Sequence, residues 1–316
     1  MKSLSTRVSI LVVLLAMATI GATDPAPVQL LSLGRVNEAI GALSNRGDAE
    51  SFNLMSRAYY ATERWDDALK WGERAIAEQP QVSGYHLWLA RAYGRKAGDS
   101  SPLAAAGLAR KTKNEFERAV QLDPANVEAR SDLSKYYTEA PAIMGGGLDK
   151  ARDQAVQVSK YDAAEAHSIL AEVAAKEKRY DEAESQFRSA IKEARNPVHY
   201  WLQLADFYRL RGRFDDVQKI VPTAMAQPSR SAENYFDAAN ELYLSGRDFP
   251  LAAQYLQKYL DSGGLVEDAP AFRAHYLLGQ VYEKMGRGSA ATSEYEASLA
   301  LASGFDRARK ALGRLQ

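Results

Sequence analysis

Cysteine is absent from the 316-residue chain, and histidine occurs only four times. Without thiols the chain can form no disulfide, no thiolate nucleophile and no cysteine-based zinc or iron–sulfur site. An excess of one sign of charge is absent too, because 40 basic residues balance 40 acidic residues. A chain without net charge has no bulk field that would draw it to nucleic acid or to an anionic membrane. The composition therefore excludes cysteine chemistry and disfavours nucleic-acid binding.

Long hydrophobic runs are also missing, apart from one short run near the N-terminus. Lys2 and Arg7 precede an apolar segment, residues 8–20, which ends in small residues. This order is typical of a secretory signal peptide, and the run is shorter than the roughly 20 residues that span a bilayer. We predict that residues 1–22 are a signal peptide and that residues 23–316 are exported, most simply to a bacterial periplasm. No lipobox cysteine follows the run, and an uncleaved N-terminal membrane anchor is the alternative.

A five-residue phrase recurs along the rest of the chain: an arginine, an aromatic residue, two acidic residues, and an alanine or valine. Its strong copies begin at Arg64, Arg179 and Arg213, and a looser copy begins at Arg35. The last two strong copies start 34 residues apart. A fixed period of this size is typical of stacked supersecondary units, each of which buries its apolar face against its neighbours. The phrase therefore predicts a repeat protein.

Each repeat is predicted to be a pair of helices. In residues 49–82, apolar and small residues recur at helical spacing on both sides of the phrase. Asp66 is placed to cap the second helix, and Asp67 lies in its first turn, where the helix dipole favours negative charge. The same pattern divides the chain into a truncated leading unit at 28–47, seven units at about 49–82, 83–126, 127–163, 164–197, 198–231, 232–271 and 272–305, and a capping helix at 306–316.

The order of residue types over 34 positions resembles the tetratricopeptide repeat family, and in particular bacterial secreted or periplasmic proteins of that family. The best matches are residues 49–82, 164–197 and 272–305, and the resemblance extends over nearly all of the chain after the N-terminal segment. It implies an all-α fold, a right-handed α-solenoid (superhelix) of about seven helix-turn-helix units with a C-terminal capping helix. It also implies a concave groove lined by the first helix of each unit.

Insertions interrupt the period in the second, third and sixth units. The second unit gains ten residues, and Ser101-Pro102 predicts the start of a helix about 30 Å long. The third unit contains the loop 138–148, in which the apolar residues Ile143 and Met144 precede three glycines. Two interpretations of this loop stay open: a lid or partner-docking loop, and a loop that packs against the long helix before it.

Candidates for catalysis or metal binding are few. His86, His167 and His275 occupy the same position in three units that are not adjacent, so they cannot share one metal ion. Recurrent acid pairs such as Asp215 and Asp216 mark helix starts and are not an acid–base pair. No nucleophile motif and no phosphate-binding glycine motif is present. We therefore predict no catalytic residue, no metal, no cofactor and no enzyme activity.

By the geometry of the resembled family, several polar and aromatic residues face the concave groove. The aromatic ones would anchor a partner, and the basic ones would form a patch for an acidic peptide or a C-terminal carboxylate. A solvated face is the alternative interpretation. The predicted partner-binding residues are Asn53, Arg57, Tyr60, Arg91, Arg95, Lys135, Phe236, Tyr243 and Tyr276.

These observations predict a scaffold or adaptor that binds a peptide or a helical segment of another protein in its groove. The alternative is a carrier or regulator that binds a small ligand, a glycan or a lipid under the loop 138–148. Neither nucleic acid nor a membrane span after signal cleavage is expected.

Overall fold

The computed structural model describes residues 25–229 and 231–316, so the predicted signal peptide lies outside the described residues. These residues form seventeen α-helices and one short 3-10 helix at Ala142–Met144, and they contain no β-strand, which confirms the all-α prediction. The helices are α1 Pro27–Ser32, α2 Val36–Leu43, α3 Ala49–Ala61, α4 Trp65–Glu78, α5 Ser83–Gly98, α6 Pro102–Leu122, α7 Val127–Glu139, α8 Leu148–Val158, α9 Ala163–Lys176, α10 Tyr180–Glu193, α11 Val198–Leu210, α12 Phe214–Met225, α13 Glu233–Leu244, α14 Phe249–Asp261, α15 Ala271–Lys284, α16 Gly288–Leu301 and α17 Asp306–Gly313.

Consecutive helices pack as hairpins, and the hairpins stack side by side as a solenoid. The second helix of one hairpin packs against the first helix of the next, as α4 does against α5. First helices of successive hairpins also touch each other, as α11 does with α13. The first helices therefore form the inner, concave layer, and the second helices form the outer layer.

The recurring arginine phrase marks the start of a second helix, but its first acidic residue does not cap that helix as predicted. The N-cap residue of α4 is Arg64 itself, so Asp66 lies inside the first turn. The Nε atom of Arg64 donates to a carboxylate oxygen of Asp67 at 2.9 Å. Its guanidinium also lies 4.6 Å from the ring centre of Tyr59. The arginine therefore ties the end of the first helix to the start of the second, and Arg213 makes both kinds of contact in the fifth unit.

Replacing Arg64 by alanine removes both contacts at once. Exposed ion pairs and exposed cation–π contacts each contribute at most about 1 kcal/mol, so we expect Arg64→Ala to lower the free energy of unfolding by about 1 kcal/mol. Urea denaturation followed by circular dichroism measures the change. Arg110→Ala is the matched control, because Arg110 is exposed on α6 and forms no ion pair with the described residues. Equal losses in the two variants would contradict this role of Arg64.

The three in-phase histidines have the same structural role in their units. Each lies on a first helix, and its Nδ1 atom contacts a side-chain oxygen on the second helix of the same unit. The pairs are His86 with Glu115 at 2.6 Å, His167 with Gln186 at 2.7 Å, and His275 with Glu294 at 2.7 Å. These histidines therefore join the two helices of a hairpin.

The insertion in the second unit lengthens a helix, as predicted. Helix α6 begins at Pro102 after the N-cap residue Ser101, and its 21 residues make it the longest described helix. At 1.5 Å per residue it measures about 30 Å. Its first turn extends away from the rest of the solenoid, since the Leu103 side chain is 89% exposed.

The insertion in the third unit packs partly against its own neighbours. The hydroxyl of Tyr136 on α7 donates to the carbonyl oxygen of Met144 at 2.7 Å. At Gly145, where φ is +87°, the backbone passes beside the side chain of Lys113 on α6. The Ile143 side chain, in contrast, is 87% exposed. The loop backbone is therefore held against α6 and α7, while one large apolar side chain points into solvent.

The two ends of the solenoid contact each other, which the repeat pattern does not predict. The Nδ2 atom of Asn37 on α2 donates to the carbonyl oxygen of Ala300 on α16 at 3.0 Å. Its Oδ1 atom accepts a hydrogen bond from the backbone N–H of Ser303 at 3.0 Å. Leucines of α1 and α2 also share one buried cluster with Phe272 and Phe305. The described chain therefore makes one closed turn, whereas a repeat of an open solenoid contacts only its neighbours.

Charged residues of α3 and α15 continue this contact on the inner layer. The Nε atom of Arg57 donates to Glu267 at 2.9 Å, and an Nη atom of Arg273 donates to the carbonyl oxygen of Ala61 at 2.9 Å. The partners in each pair are more than 200 residues apart in the sequence. We call this whole contact between the two ends the closure.

Gly34 makes the closest backbone approach in the closure. Its φ is +71°, and a Cβ atom at this position would lie 2.4 Å from the amide nitrogen of Ala271. Glycine adopts positive φ without a steric penalty and lets two backbones approach closely. The turn between α1 and α2 therefore needs a glycine for two independent reasons.

Candidate functional site

The charge of the concave layer changes sign along the chain. At the position eight residues after the start of each unit, the first three units carry Arg57, Arg91 and Lys135. The fourth and fifth units carry Glu172 and Asp206 at the same position. All five residues lie on first helices. This position of the inner surface is therefore basic in the first three units, acidic in the fourth and fifth, and neutral in the sixth and seventh, which carry Asn240 and Gln280.

The basic half is engaged by carboxylates of the protein itself. Arg91 donates to Asp132 and to Glu128, each at 2.6 Å, while Arg57 is paired with Glu267 across the closure. The two guanidinium groups also lie 5.0 Å and 4.7 Å from the ring centre of Trp88. An acidic partner would have to displace these internal contacts. The role of both arginines in partner binding stays a prediction.

Arg57, Tyr60 and Arg95 meet in a small cavity of about 140 Å³ at the closure. The Nε atom of Arg95 donates to the hydroxyl oxygen of Tyr60 at 3.4 Å. Glu267 and Arg273, from the other end of the chain, complete its walls. This cavity is therefore a product of the closure.

The other predicted groove residues of α3, α13 and α15 pack against neighbouring side chains. Asn53 is 6% exposed, and its Oδ1 atom has no hydrogen-bond partner among the described residues. The three aromatic residues are half-buried beside other rings, with these distances between ring centres: Phe236 to Tyr259, 6.0 Å; Tyr243 to Phe249, 6.4 Å; and Tyr276 to Phe305, 5.2 Å. Their function as anchors for a partner also stays a prediction.

A cavity of about 560 Å³ lies in the concave layer between the third and sixth units. We call it the concave cavity. Its walls come from the first helices α7, α9, α11 and α13, and from α10. Among the predicted groove residues, Lys135 lines it. One wall is apolar and consists of Tyr180, Phe187, Leu202, Phe207 and Leu210.

Carboxylates outnumber cations in the lining of the concave cavity. The acidic residues are Glu139, Glu172, Asp206, Asp237 and Glu241, and the basic residues are Lys135, Lys176 and Arg211. Lys176 is paired with Glu139 at 2.7 Å, at the rim. Arg209, which lies outside the lining, is paired with Glu241 at 2.9 Å and also with Asp206. Three of the five carboxylates are therefore ion-paired, and two of these three share the single charge of Arg209.

Glu172 and Asp237 have no ion pair and no hydrogen bond within residues 25–229 and 231–316. Burial raises the pKa of Glu172, and the nearby carboxylate of Asp206 raises it further, while Lys135 opposes this shift. Burial raises the pKa of Asp237 to about 7, and the neighbouring carboxylates of Glu233 and Glu241 add to the effect. Neither carboxylate, when charged, is therefore stabilised by an ion pair or a hydrogen bond from a described residue.

His199 does not supply the missing positive charge. Burial lowers the pKa of its imidazole, so the ring is neutral at pH 7. Its Nε2 atom lies 3.0 Å from the side-chain nitrogen of Gln203. Arg211 is directed elsewhere, since its guanidinium stacks 3.4 Å from the ring centre of Tyr180.

The lining of the concave cavity offers a surface for binding. Within the part of the chain that the structure describes, no three histidine, aspartate or glutamate side chains lie close enough to hold a metal ion. The lining combines apolar side chains with two carboxylates that form no ion pair with a described residue. This combination suits a ligand that carries a positive group beside an apolar group.

The acidic residues of this cavity are the functional candidates that the sequence prediction missed. Two of them could have been recognised from the sequence, because Glu172 and Asp206 occupy the same repeat position as Arg57, Arg91 and Lys135. The prediction followed that position through the first three units only. The apolar wall was harder to find, since Phe207 and Tyr180 follow the same pattern as ordinary packing residues.

Comparison with known proteins supports the repeat assignment. The tetratricopeptide repeat family matches residues 145–197 and 236–304. No curated protein matches the sequence.

Solved structures of repeat proteins resemble the chain at low identity. A thermophilic tetratricopeptide repeat protein of Thermus thermophilus has 23% identity and a TM-score of 0.48, over 57% of this chain and 94% of its own. A tetratricopeptide repeat protein of Parabacteroides merdae has 14% identity and a TM-score of 0.43, over 84% of this chain and 98% of its own. The C-terminal part of a repeat protein of Cytophaga hutchinsonii has 15% identity and a TM-score of 0.42, over 90% of this chain and 98% of its own.

The family match falls on α8 to α10 and on α13 to α16, in two separate parts of the same stack of hairpins. These hairpins have the helix lengths and the short turns that the other units share. The match of residues 145–197 and 236–304 supports the assignment of these hairpins to the tetratricopeptide repeat family.

Proposed function

We propose that this protein is a non-enzymatic scaffold that binds a segment of another protein in the concave cavity. Tetratricopeptide repeats generally mediate protein–protein interactions, and proteins of this family are typically not enzymes. The observation that carries the proposal is a concave cavity of about 560 Å³ with an apolar wall open to solvent. Leu210, on that wall, is 70% exposed, although large apolar side chains are usually buried.

The size and shape of the cavity support a peptide or a helix as the ligand. Binding pockets for drug-sized ligands measure roughly 300–1,000 Å³, so this cavity has room for a few side chains of a partner. Because its walls come from four successive first helices, the cavity is part of a longer groove. A groove of this kind takes an extended or helical segment through a small number of anchor side chains.

Export to a periplasm is also part of the proposal, and it rests on the sequence of residues 1–22. Of the helices in the described ranges, none combines the length and the hydropathy that crossing a bilayer requires. A carrier that binds a ligand under the loop 138–148 has less support. The backbone of that loop already lies against α6 and α7, and Ile143 points into solvent.

Photocrosslinking in cells tests the proposal. A photoreactive residue is placed at position 176, at the rim of the cavity, and a second one at position 103 on the exposed start of α6. We expect one recurrent protein to be captured from position 176 and none from position 103. Leu210→Asp should reduce that capture at least about tenfold, because it puts a charge into an apolar contact.

Leu103→Asp is the matched control, since Leu103 is also an exposed leucine but lies far from the cavity lining. It should leave the capture from position 176 unchanged. Both leucines are exposed, so neither variant is expected to unfold the protein. Capture that survives Leu210→Asp, or that occurs equally from position 103, would contradict binding in the concave cavity.

A further inference from the structure

The concave cavity contains a carboxylate without a positive partner, and this indicates which group a binding partner would carry. Asp237 on α13 projects into the cavity without an ion pair or a hydrogen bond to any described residue. The charged groups nearest to it are all acidic: Glu233 and Glu241 on its own helix, and Asp268 before α15. Glu172, on α9, also lines the cavity; it has Lys135 nearby but accepts no hydrogen bond from it.

A cation is the ligand that this arrangement would bind. A buried carboxylate without a partner is costly, and a positive group that donates hydrogen bonds to it removes that cost. None of the three cations of the lining, Lys135 included, pairs with Asp237. Lys176 is paired with Glu139, and Arg211 is stacked on Tyr180.

The apolar wall restricts what else the ligand contains. Leu202 and Phe207 on α11 line the same cavity as the carboxylates, and Leu210 adds a largely exposed apolar side chain to this wall. A free polyamine or a metal ion would leave this wall exposed to water. A lysine or arginine side chain next to a large apolar side chain would satisfy both the carboxylate and the apolar wall.

We propose that the partner segment presents a lysine or arginine beside a large apolar residue, with its positive group at the carboxylate of Asp237 and its apolar side chain on Leu202, Phe207 and Leu210. This inference rests on the proposed function, since it describes the occupant of the same cavity. It is opposite in sign to the acidic peptide that the arginines of the first units suggest.

A random peptide library displayed on phage tests the inference on the whole chain. We expect the selected peptides to share a lysine or arginine next to an aromatic or aliphatic residue. The affinity of one selected peptide is then measured by calorimetry for the wild type and for the double variant Glu172→Gln, Asp237→Asn. Each charged hydrogen bond contributes about 1.5–3 kcal/mol, so the double variant should bind at least about tenfold more weakly.

The matched control removes two carboxylates elsewhere. Asp181→Asn and Glu296→Gln change exposed residues of α10 and α16 outside the cavity, and together they should change the affinity less than about twofold. A peptide in which norleucine replaces the lysine completes a double-mutant cycle. The lysine replacement and the cavity variant should not be additive, because each removes the same contact.

The possible results separate this inference from the function on which it rests. Selected peptides that bind in the cavity but are acidic, or show no preference of charge, would overturn the inference and leave the scaffold function standing. Additive effects in the cycle, or spermidine or lysine amide binding as tightly as the peptide, would overturn it as well. If no peptide binds at all, the proposed function fails together with it.

Discussion

Gly34→Val is expected to break the closure and to lower the free energy of unfolding by about 2–4 kcal/mol. Valine has a β-branched side chain that disfavours the φ of +71° at this position. Its Cβ atom would also lie 2.4 Å from the amide nitrogen of Ala271, which is a backbone atom and cannot rotate away. The hairpin α1–α2 must therefore move off the last unit, and its leucines leave the shared cluster with Phe272.

Chemical denaturation and hydrogen exchange measure the effect of Gly34→Val. Amides of α1, α2 and the start of α15 should exchange faster than in the wild type, while those of α9 and α10 should not change. Gly41→Ala is the control in the same hairpin, because no described side chain or neighbouring backbone atom lies within 4 Å of a Cβ built there. It should raise stability by about 0.5–1 kcal/mol, the usual gain in a helix interior. If Gly34→Val has the same stability and the same exchange rates as the wild type, the packing of one end of the chain does not depend on the other.

Asp237→Asn is expected to stabilise the protein at pH 8 by about 2 kcal/mol and at pH 5 by less than half of that. The pKa of Asp237 is raised to about 7, against an ordinary value of 3.8. Between these two values the folded chain binds a proton that the unfolded chain has released. Stability therefore falls as the pH rises through this window and levels off above pH 7. The full shift would correspond to about 4 kcal/mol, and partial access of solvent to the cavity reduces it.

The neutral amide of asparagine removes this dependence on pH, since it has the shape of the aspartic acid but no charge to bury. Urea denaturation at pH 5 and pH 8 measures both variants. Asp181→Asn is the matched control, because Asp181 is exposed, and it should behave alike at the two pH values. A difference between Asp237→Asn and wild type that is the same at pH 5 and pH 8 would contradict a raised pKa at Asp237.

The repeat itself could be predicted from local sequence. Alanines, tyrosines and histidines recur at fixed spacing because the two helices of every unit pack in the same way. His86, His167 and His275 therefore make equivalent contacts. The insertion before α6 could also be understood locally, since Ser101 and Pro102 start a helix in any context. These signals act within one unit or between neighbours.

The closure could not be predicted in this way. It joins residues more than 200 positions apart, such as Arg57 with Glu267, and depends on the summed curvature of all units. No single repeat contains that information. Gly34 lies in a turn between two helices, but the backbone of Ala271 that it must accommodate lies at the other end of the chain.

The sequence prediction concentrated on the basic residues of the first three units, whereas most of the concave cavity is lined by later units. The sequence rule that selected Arg57 and Arg91 ignored the carboxylates that pair with them, because Glu267 and Glu128 lie in other units. What distinguishes Glu172 and Asp237 is the lack of such partners among the described residues. That property depends on three-dimensional neighbours and not on residue type.

Carboxyl footprinting tests the central claim, that a protein segment occupies the concave cavity, most directly. A water-soluble carbodiimide and an amine label accessible carboxylates, and mass spectrometry compares the chain alone with the chain bound to its crosslinked partner or selected peptide at pH 8. We expect binding to protect Glu172 and Asp237 from labelling and to leave the labelling of Asp181 and Glu296 unchanged. Unchanged labelling of Glu172 and Asp237 in the complex, with protection elsewhere, would show that the partner binds at another surface.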